Sequence, residues 1–332
     1  MADHPSDADS PSAPASRLAA HLEAATEIRG LSDEELLRQL SGSELLQHGY
    51  TAISLPQSRA KVFVKLLPLT ALELEQEHHP STANLFQLPS CYHYRIGSCG
   101  FGAWRELEVH LIANRWVLSG QCHQFPLLHG WRVLPIAHRL QDDLLSMDPW
   151  GNDTAIQRRI SSLAESTHSA ALFLEYFPAT LSQWLRDRLR GEVDPMAVVL
   201  ETEAALLKIL AFMNSQGLLH LDAHFGNVLT DGSQLFLADF GLTVSPSFRL
   251  DSEELRFLER HENFDRCTAL TSNVHAIVSH YDSRADWRQA LRELNDGTHR
   301  GVEEVPAAVR SYLARRGPLA LAVGEFYRQL IA

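Results

Sequence analysis

Residues 217–229 read GLLHLDAHFGNVL, and residues 237–242 read LADFGL. Between two apolar runs, the first stretch sets His220, Asp222, His224, Gly226 and Asn227 within eight positions. Neither a helix core nor a strand face asks for that density of polar side chains, so hydrophobic periodicity does not explain them. Asp222 and Asn227 stand five residues apart, and Asp239 follows twelve beyond Asn227. Carboxylate and carboxamide oxygens are the ligands that hard divalent cations take, and a carboxylate placed beside a hydroxyl serves as a general base.

The rest of the chain bounds what such a cluster can serve. At 332 residues and 45% apolar content the sequence can build a substantial core. A formal net charge of -12 repels nucleic acid and anionic membrane surfaces, so neither is the expected partner. Cys91, Cys99, Cys122 and Cys267 form no C-x-x-C pair, which reads as reduced thiols and a cytoplasmic setting. The opening MADHPSDADSPSAPAS carries neither a basic nor an apolar signal segment, and no apolar run approaches the ~18 residues that span a bilayer.

Organisation follows from pattern. Residues 1–16 read as a disordered leader, and 17–47 as a helical extension with a capping box at Ser32 and Glu35. The stretch 50–67 reads as a hairpin whose second run, KVFVK, ends on an inward-facing Lys65. Residues 103–118 are apolar on nearly every side and predict a helix gripped on two faces. FPLLHGWRVLP (125–135) and AALFLEYF (170–177) read as further strands flanking an insertion at 139–168. Beyond 178 the pattern is helical: LSQWLRDRL, then 196–216 closed by Gly217, then helices from a capping pair at Asp251 and Glu254.

His220-Leu221-Asp222 with Asn227, followed by Asp239-Phe240-Gly241, resembles the catalytic loop and metal-binding D-F-G of the protein-kinase-like superfamily. A helix end followed by two Asp-rich turns would account for either motif alone, though not for the ordered pair. Leu221 replaces the arginine of H-R-D. The histidine two after the aspartate is similar to aminoglycoside and choline phosphotransferases and to haspin-type atypical kinases. FGAWRELEVH, NRWVLSG and the two motifs together also look like a bacterial group labelled protein kinase family, over roughly residues 45–285.

This resemblance implies an α+β, bilobal protein-kinase-like fold, with a small β-rich N-lobe at 48–177 holding one key helix and a larger α-helical C-lobe at 178–332. It implies Mg²⁺-ATP as phosphoryl donor, Asp222 as base, and Asn227 and Asp239 as metal ligands. His224 either reaches the γ-phosphate or hydrogen-bonds within its loop. Lys65 would pair the phosphates, and its helix partner is Glu106 rather than Glu108, which lies beside Arg115. FLEYF (173–177) would be the hinge, with Leu174 as gatekeeper and the Glu175 carbonyl and Phe177 N–H as adenine contacts.

The pattern has departures. The stretch before Lys65 contains only Gly49 where a glycine-rich phosphate loop belongs, and no A-P-E follows Gly241. GSCGFG (97–102) falls after Lys65 and reads as a flexible entry to the 103–118 helix. Asp265 is the candidate to accept hydrogen bonds from the catalytic-loop backbone, the alternative being a surface pair with Arg266. The expected reaction moves the γ-phosphate of ATP to a hydroxyl-bearing acceptor. That acceptor is read as a protein serine or threonine, with an amino sugar or amino alcohol as the alternative and a nucleotide-binding scaffold as the second.

Overall fold

The computed structural model describes residues 14–40, 49–94, 97–137, 150–191, 194–282 and 286–331. Most of the leader 1–16, the end of the 17–47 extension and the first part of the 139–168 insertion lie outside them.

Strand alternation decides where Lys65 points. β1 (Tyr50–Ser54) and β2 (Lys61–Leu69) form the expected hairpin; β2 also pairs with β4 (His168–Glu175), and β4 with β3 (Leu128–Leu134), in one antiparallel sheet ordered β1-β2-β4-β3. On one face Val62, Val64 and Leu66 pack with Ala171 and Phe173 beneath helices α1 (Pro14–Gly30) and α2 (Asp33–Leu40). On the other, Leu67 and Leu69 pack with Ala170, Leu172 and Leu174 beneath the helix Ala103–Leu118. Lys65 shares the parity of Phe63 and Leu67, so it leaves the sheet toward that helix.

Helix α3 is the single turn Ala71–Leu74, and Ala103–Leu118 is therefore α4. Ala103, Trp104 and Leu107 meet the sheet, while Val109, Ala113, Trp116 and Val117 enter the largest apolar core. That core is built with the later helices: α6 (Leu181–Arg190), α7 (Pro195–Ser215), α9 (Phe264–Tyr281), α10 (Trp287–Asp296) and α11 (Ala307–Ile331). The remaining helices are α5 (Thr154–Ala164) and α8 (Ser252–Arg260). A second small sheet, β5 (Ala179–Thr180), β6 (Val228–Thr230) and β7 (Leu235–Leu237), completes a mixed α+β fold. No helix among the described residues is long and apolar enough to cross a membrane.

Local signals hold where they are chemical. Ser32 and Glu35 exchange hydrogen bonds at the start of α2, and Asp251 and Glu254 do so at the start of α8. Gly217 takes φ +82 just after α7, a conformation that glycine adopts without a Cβ penalty. Helix α1 begins at 14, three residues inside the leader as read from composition.

α1 is more than an extension. Arg17 donates to both carboxylate oxygens of Glu175 at 2.7 and 2.6 Å and to the carbonyls of His123 and Phe125. Glu27 accepts from the Gln57 and Ser58 amides at 2.7 and 2.9 Å, so α1 also fastens the β1–β2 turn.

Two buried ion pairs fix α4 from its N-terminal end. Arg105 donates to Glu254 at 2.5 and 3.2 Å, with both side chains almost fully enclosed and His93 Nε2 3.7 Å away. Glu73 accepts from the Ala103 amide and pairs with Arg159 at 2.8 Å, tying α4 to α5. Burial works against the Glu254 charge, but His93 and Arg105 outweigh it and hold the carboxyl at about 2. A depressed carboxylate stabilises the fold above its ordinary value and loses that contribution as the pH falls through its folded value. Glu254→Gln, which leaves Arg105 charged and enclosed, is expected to cost about 3–5 kcal/mol in denaturant unfolding at neutral pH. The substitution also removes the Glu254 share of the stability change between pH 4.5 and about 2.

Candidate active site

The spacings in the 217–242 region have simple structural causes. After α7 the chain pairs Leu219 with Val244 and then turns sharply, with Leu221 at φ +63 and its side chain buried. A leucine in the left-handed region is strained and has to be held there. Asp265, at the start of α9 and fully buried, does this by accepting from the His220 and Leu221 amides, both at 2.7 Å. The alternative of a surface pair with Arg266 is excluded by that burial. Enclosure raises the Asp265 pKa against the pull of His220 and the two amides.

The twelve-residue step from Asn227 to Asp239 is a hairpin. Val228 pairs with Leu237 in β6 and β7, and the Ala238 amide donates to the Asn227 carbonyl at 2.9 Å. Asn227 and Asp239 are thereby set at the same end of one ribbon. The Asn227 amide group donates to the Asp222 carbonyl at 3.1 Å and to its carboxylate at 2.9 Å, which orients Asp222 and leaves the Asn227 carboxamide oxygen as an acceptor.

His220 closes the other side. Its Nδ1 lies 3.2 Å from the Asp222 amide and its Nε2 2.9 Å from the Ala238 carbonyl, so the neutral ring accepts at Nδ1 and donates from Nε2. Burial lowers its pKa, in keeping with that neutral form. Phe240 is wholly buried with its ring edge-on to His220 and to His110 of α4. Asp239, at φ +64, meets Lys65 instead.

Lys65 meets two carboxylates from different elements: Glu106 of α4 at 2.6 Å and Asp239 at 2.8 Å. Glu108 instead pairs with Arg115 at 3.4 Å on the surface. Burial disfavours the Lys65 charge, but Asp239 and then Glu106 raise its pKa. Reciprocally, Lys65 overcomes desolvation at Asp239 and holds that carboxyl at about 2. Lys65, Glu106, Asp239, Asn227 and Asp222 thus lie in one connected cluster.

His224 accepts from the Gly226 amide at Nδ1, with Nε2 3.7 Å from Asp222, so here it serves its own loop. Leu174 is buried against α4 and β3. The Glu175 amide donates to the Leu127 carbonyl, its carboxylate takes Arg17 and the Leu127 amide, and Phe177 packs tilted against Phe236 with ring centroids 4.2 Å apart.

The segment 97–102 departs from its reading as a flexible entry. Gly100 has φ +72, and a Cβ there would meet the Gly241 carbonyl at 2.5 Å, so this segment is packed against the Asp-Phe-Gly turn. Its glycines permit that approach of two backbones. The out-of-order position that discounted it in the sequence is spanned by a connection that also carries Glu73 and His93. No protein-family model matches the chain, and no curated protein matches it.

Asp265→Ala leaves the His220 and Leu221 amides without an acceptor in a closed site. The expected cost is about 1–3 kcal/mol in denaturant unfolding for each donor left unpaired, with Asp265→Asn intermediate because one of its two side-chain heads no longer accepts.

Proposed function

We propose that the chain is an ATP-dependent phosphotransferase of bilobal protein-kinase-like architecture, moving the γ-phosphoryl group of ATP to an alcohol. The observation that carries this reading is the Lys65 ammonium held by Glu106 and Asp239, with Asp222 and Asn227 on the adjoining loop. A structural ion pair needs one carboxylate; a lysine between two, beside an amide-oriented aspartate, suits the handling of a polyphosphate.

The donor set fits Mg²⁺. Asp239 and the Asn227 carboxamide oxygen are hard oxygen ligands, and Asp239 stays ionised down to about 2. When bound there, the metal supplies charge neutralisation between phosphate oxygens.

The chain's own groups account for the rest. Asp222, oriented by Asn227, accepts the proton of the acceptor hydroxyl as that oxygen bonds to the γ-phosphorus. The bond from the γ-phosphorus to the bridging oxygen breaks, ADP departs with the electron pair, and the phosphorylated alcohol remains. Lys65 positions the phosphates while Glu106 fixes Lys65. In this reading Leu174, the Glu175 carbonyl and the Phe177 N–H line the adenine.

Two features bear on the alternatives. Glu27 takes the amides of the β1–β2 turn, so phosphates do not draw on those donors, a point in favour of a nucleotide-binding scaffold. The residues after Gly241 are short and tied down, with Val244 bridged to Leu219 and Phe248 buried, which favours a small acceptor over a protein serine or threonine.

Melting curves with ATP, with and without Mg²⁺, followed by ATP turnover, test the reading. Asp239→Ala is expected to abolish the Mg²⁺-dependent part of nucleotide stabilisation; an undiminished response moves the metal elsewhere. Asp222→Asn should retain nucleotide binding and lose turnover by about 10²–10⁴-fold, the range of a general base. Turnover at the wild-type rate in that variant would remove Asp222 from the chemistry.

A further inference from the structure

A cleft of about 350 Å³ opens on the far side of His224, between the catalytic-type loop and helices α9, α10 and α11. That volume lies in the range of sites for small ligands. Its walls include Thr268 and Ser272 of α9, Trp287 and Arg288 at the start of α10, and Gly324 of α11. His224 Nε2 is 3.7 Å from the Asp222 carboxylate, so one end of the cleft is a single side chain from the proposed base.

The chemistry of this cleft is unlike that of a packing defect. Arg288 Nε and the Thr268 hydroxyl are enclosed polar atoms with no hydrogen-bond partner among the described residues, and Thr268 is only 9% exposed. Buried polar groups are nearly always paired, so these two leave hydrogen-bonding positions in the cleft for a ligand or water to fill. The Arg288 guanidinium lies over the Trp287 ring, its centre 5.3 Å from the ring centroid. Position 324 is glycine where a Cβ would meet Arg288 Nε at 2.7 Å, so α11 makes room for that side chain.

Charge narrows the ligand. Arg288 is the permanent cation of the cleft. His275, on α9 beside it, is kept neutral by burial and by Arg288. Glu325 on α11 is close enough to feel Arg288 but is engaged by Arg328 and Gln329. An ammonium-bearing acceptor, such as an amino sugar or amino alcohol, would be repelled here, whereas a carboxylate or phosphate matches a guanidinium.

We propose that this cleft is the acceptor site and takes a small polyhydroxylated compound bearing one anionic group, with Arg288 binding the anion and a hydroxyl directed past His224 to Asp222. This rests on the phosphotransferase reading. It assigns the acceptor's class and makes Arg288 the residue that selects it.

The test is calorimetric titration of the full chain with four probes: gluconate and glycerol phosphate as anions, sorbitol as the neutral polyol and glucosamine as the cation. Both anions are expected to bind about tenfold or more tightly than sorbitol or glucosamine, the worth of a charge-assisted hydrogen bond. Arg288→Gln should reduce gluconate binding to the sorbitol level, and Arg288→Lys should restore part of it. Ser272→Leu, which fills the cleft and leaves its charge, should block gluconate and serves if Arg288→Gln does not fold. Sorbitol or glucosamine binding as tightly as gluconate, no binding of either anion, or gluconate binding unchanged in a folded Arg288→Gln or Ser272→Leu protein overturns the proposal. Mg²⁺-ATP stabilisation is measured on the same preparation. An intact response without anion binding sinks the acceptor site alone, and a missing response sinks the phosphotransferase.

Discussion

An ammonium group that leaves a sheet toward a buried helix has to be matched by negative charge, and the position of Lys65 imposes that requirement on the whole molecule. Its partners come from α4 and from the turn after β7, so three elements distant in sequence must converge within hydrogen-bond reach. Removing a charge from water costs several kcal/mol unless the pairing is close. The precision of the sheet register, the α4 axis and the β6–β7 ribbon is the structural answer to that cost.

Helix α4 carries most of the burden. Its apolar faces let it slide or rotate at modest expense, because dispersion contacts are not directional. Arg105–Glu254 and the Glu73 cap are directional, and they act on neighbours of Glu106 along the same helix. The Arg105 pair reaches α8, beyond the Asp-Phe-Gly turn, so the part of the chain that holds Asp239 and the helix that holds Glu106 share an anchor. Gly100 against Gly241 adds a backbone contact between the same two regions. Such bracing suits a site with one resident geometry rather than one switched by a mobile segment.

How much of this could be read in advance depends on the type of signal. The hairpin, the parity of Lys65, the α4 span and the capping pairs follow from local periodicity and hydrogen-bonding chemistry, and the structure places them as expected. Glu106 was separable from Glu108 because helical angles put one inside and one beside Arg115. Asp265 was found only through a resemblance, since nothing local distinguishes it from a surface aspartate next to Arg266. Arg17, Glu27 and the Arg105–Glu254 pair were not legible. Each is an ordinary charged residue whose partner lies far along the chain, and no period encodes that pairing. The same holds for Arg288 and Gly324, whose meaning depends on two late helices crossing behind the His224 loop.

The long reach of α1 has a consequence for the order in which the molecule assembles. Arg17 is 158 residues from Glu175, so α1 is made long before its partner on β4. On a ribosome, α1 emerges well before β4, and the apolar surface of Ala24 and Ile28 has no sheet to cover until β2 and β4 have paired. Contacts of such separation close late and slow folding. Helix α1 is thus synthesised well before the strands it covers and docks only once they have paired. For that interval its exposed stripe needs shielding from other chains.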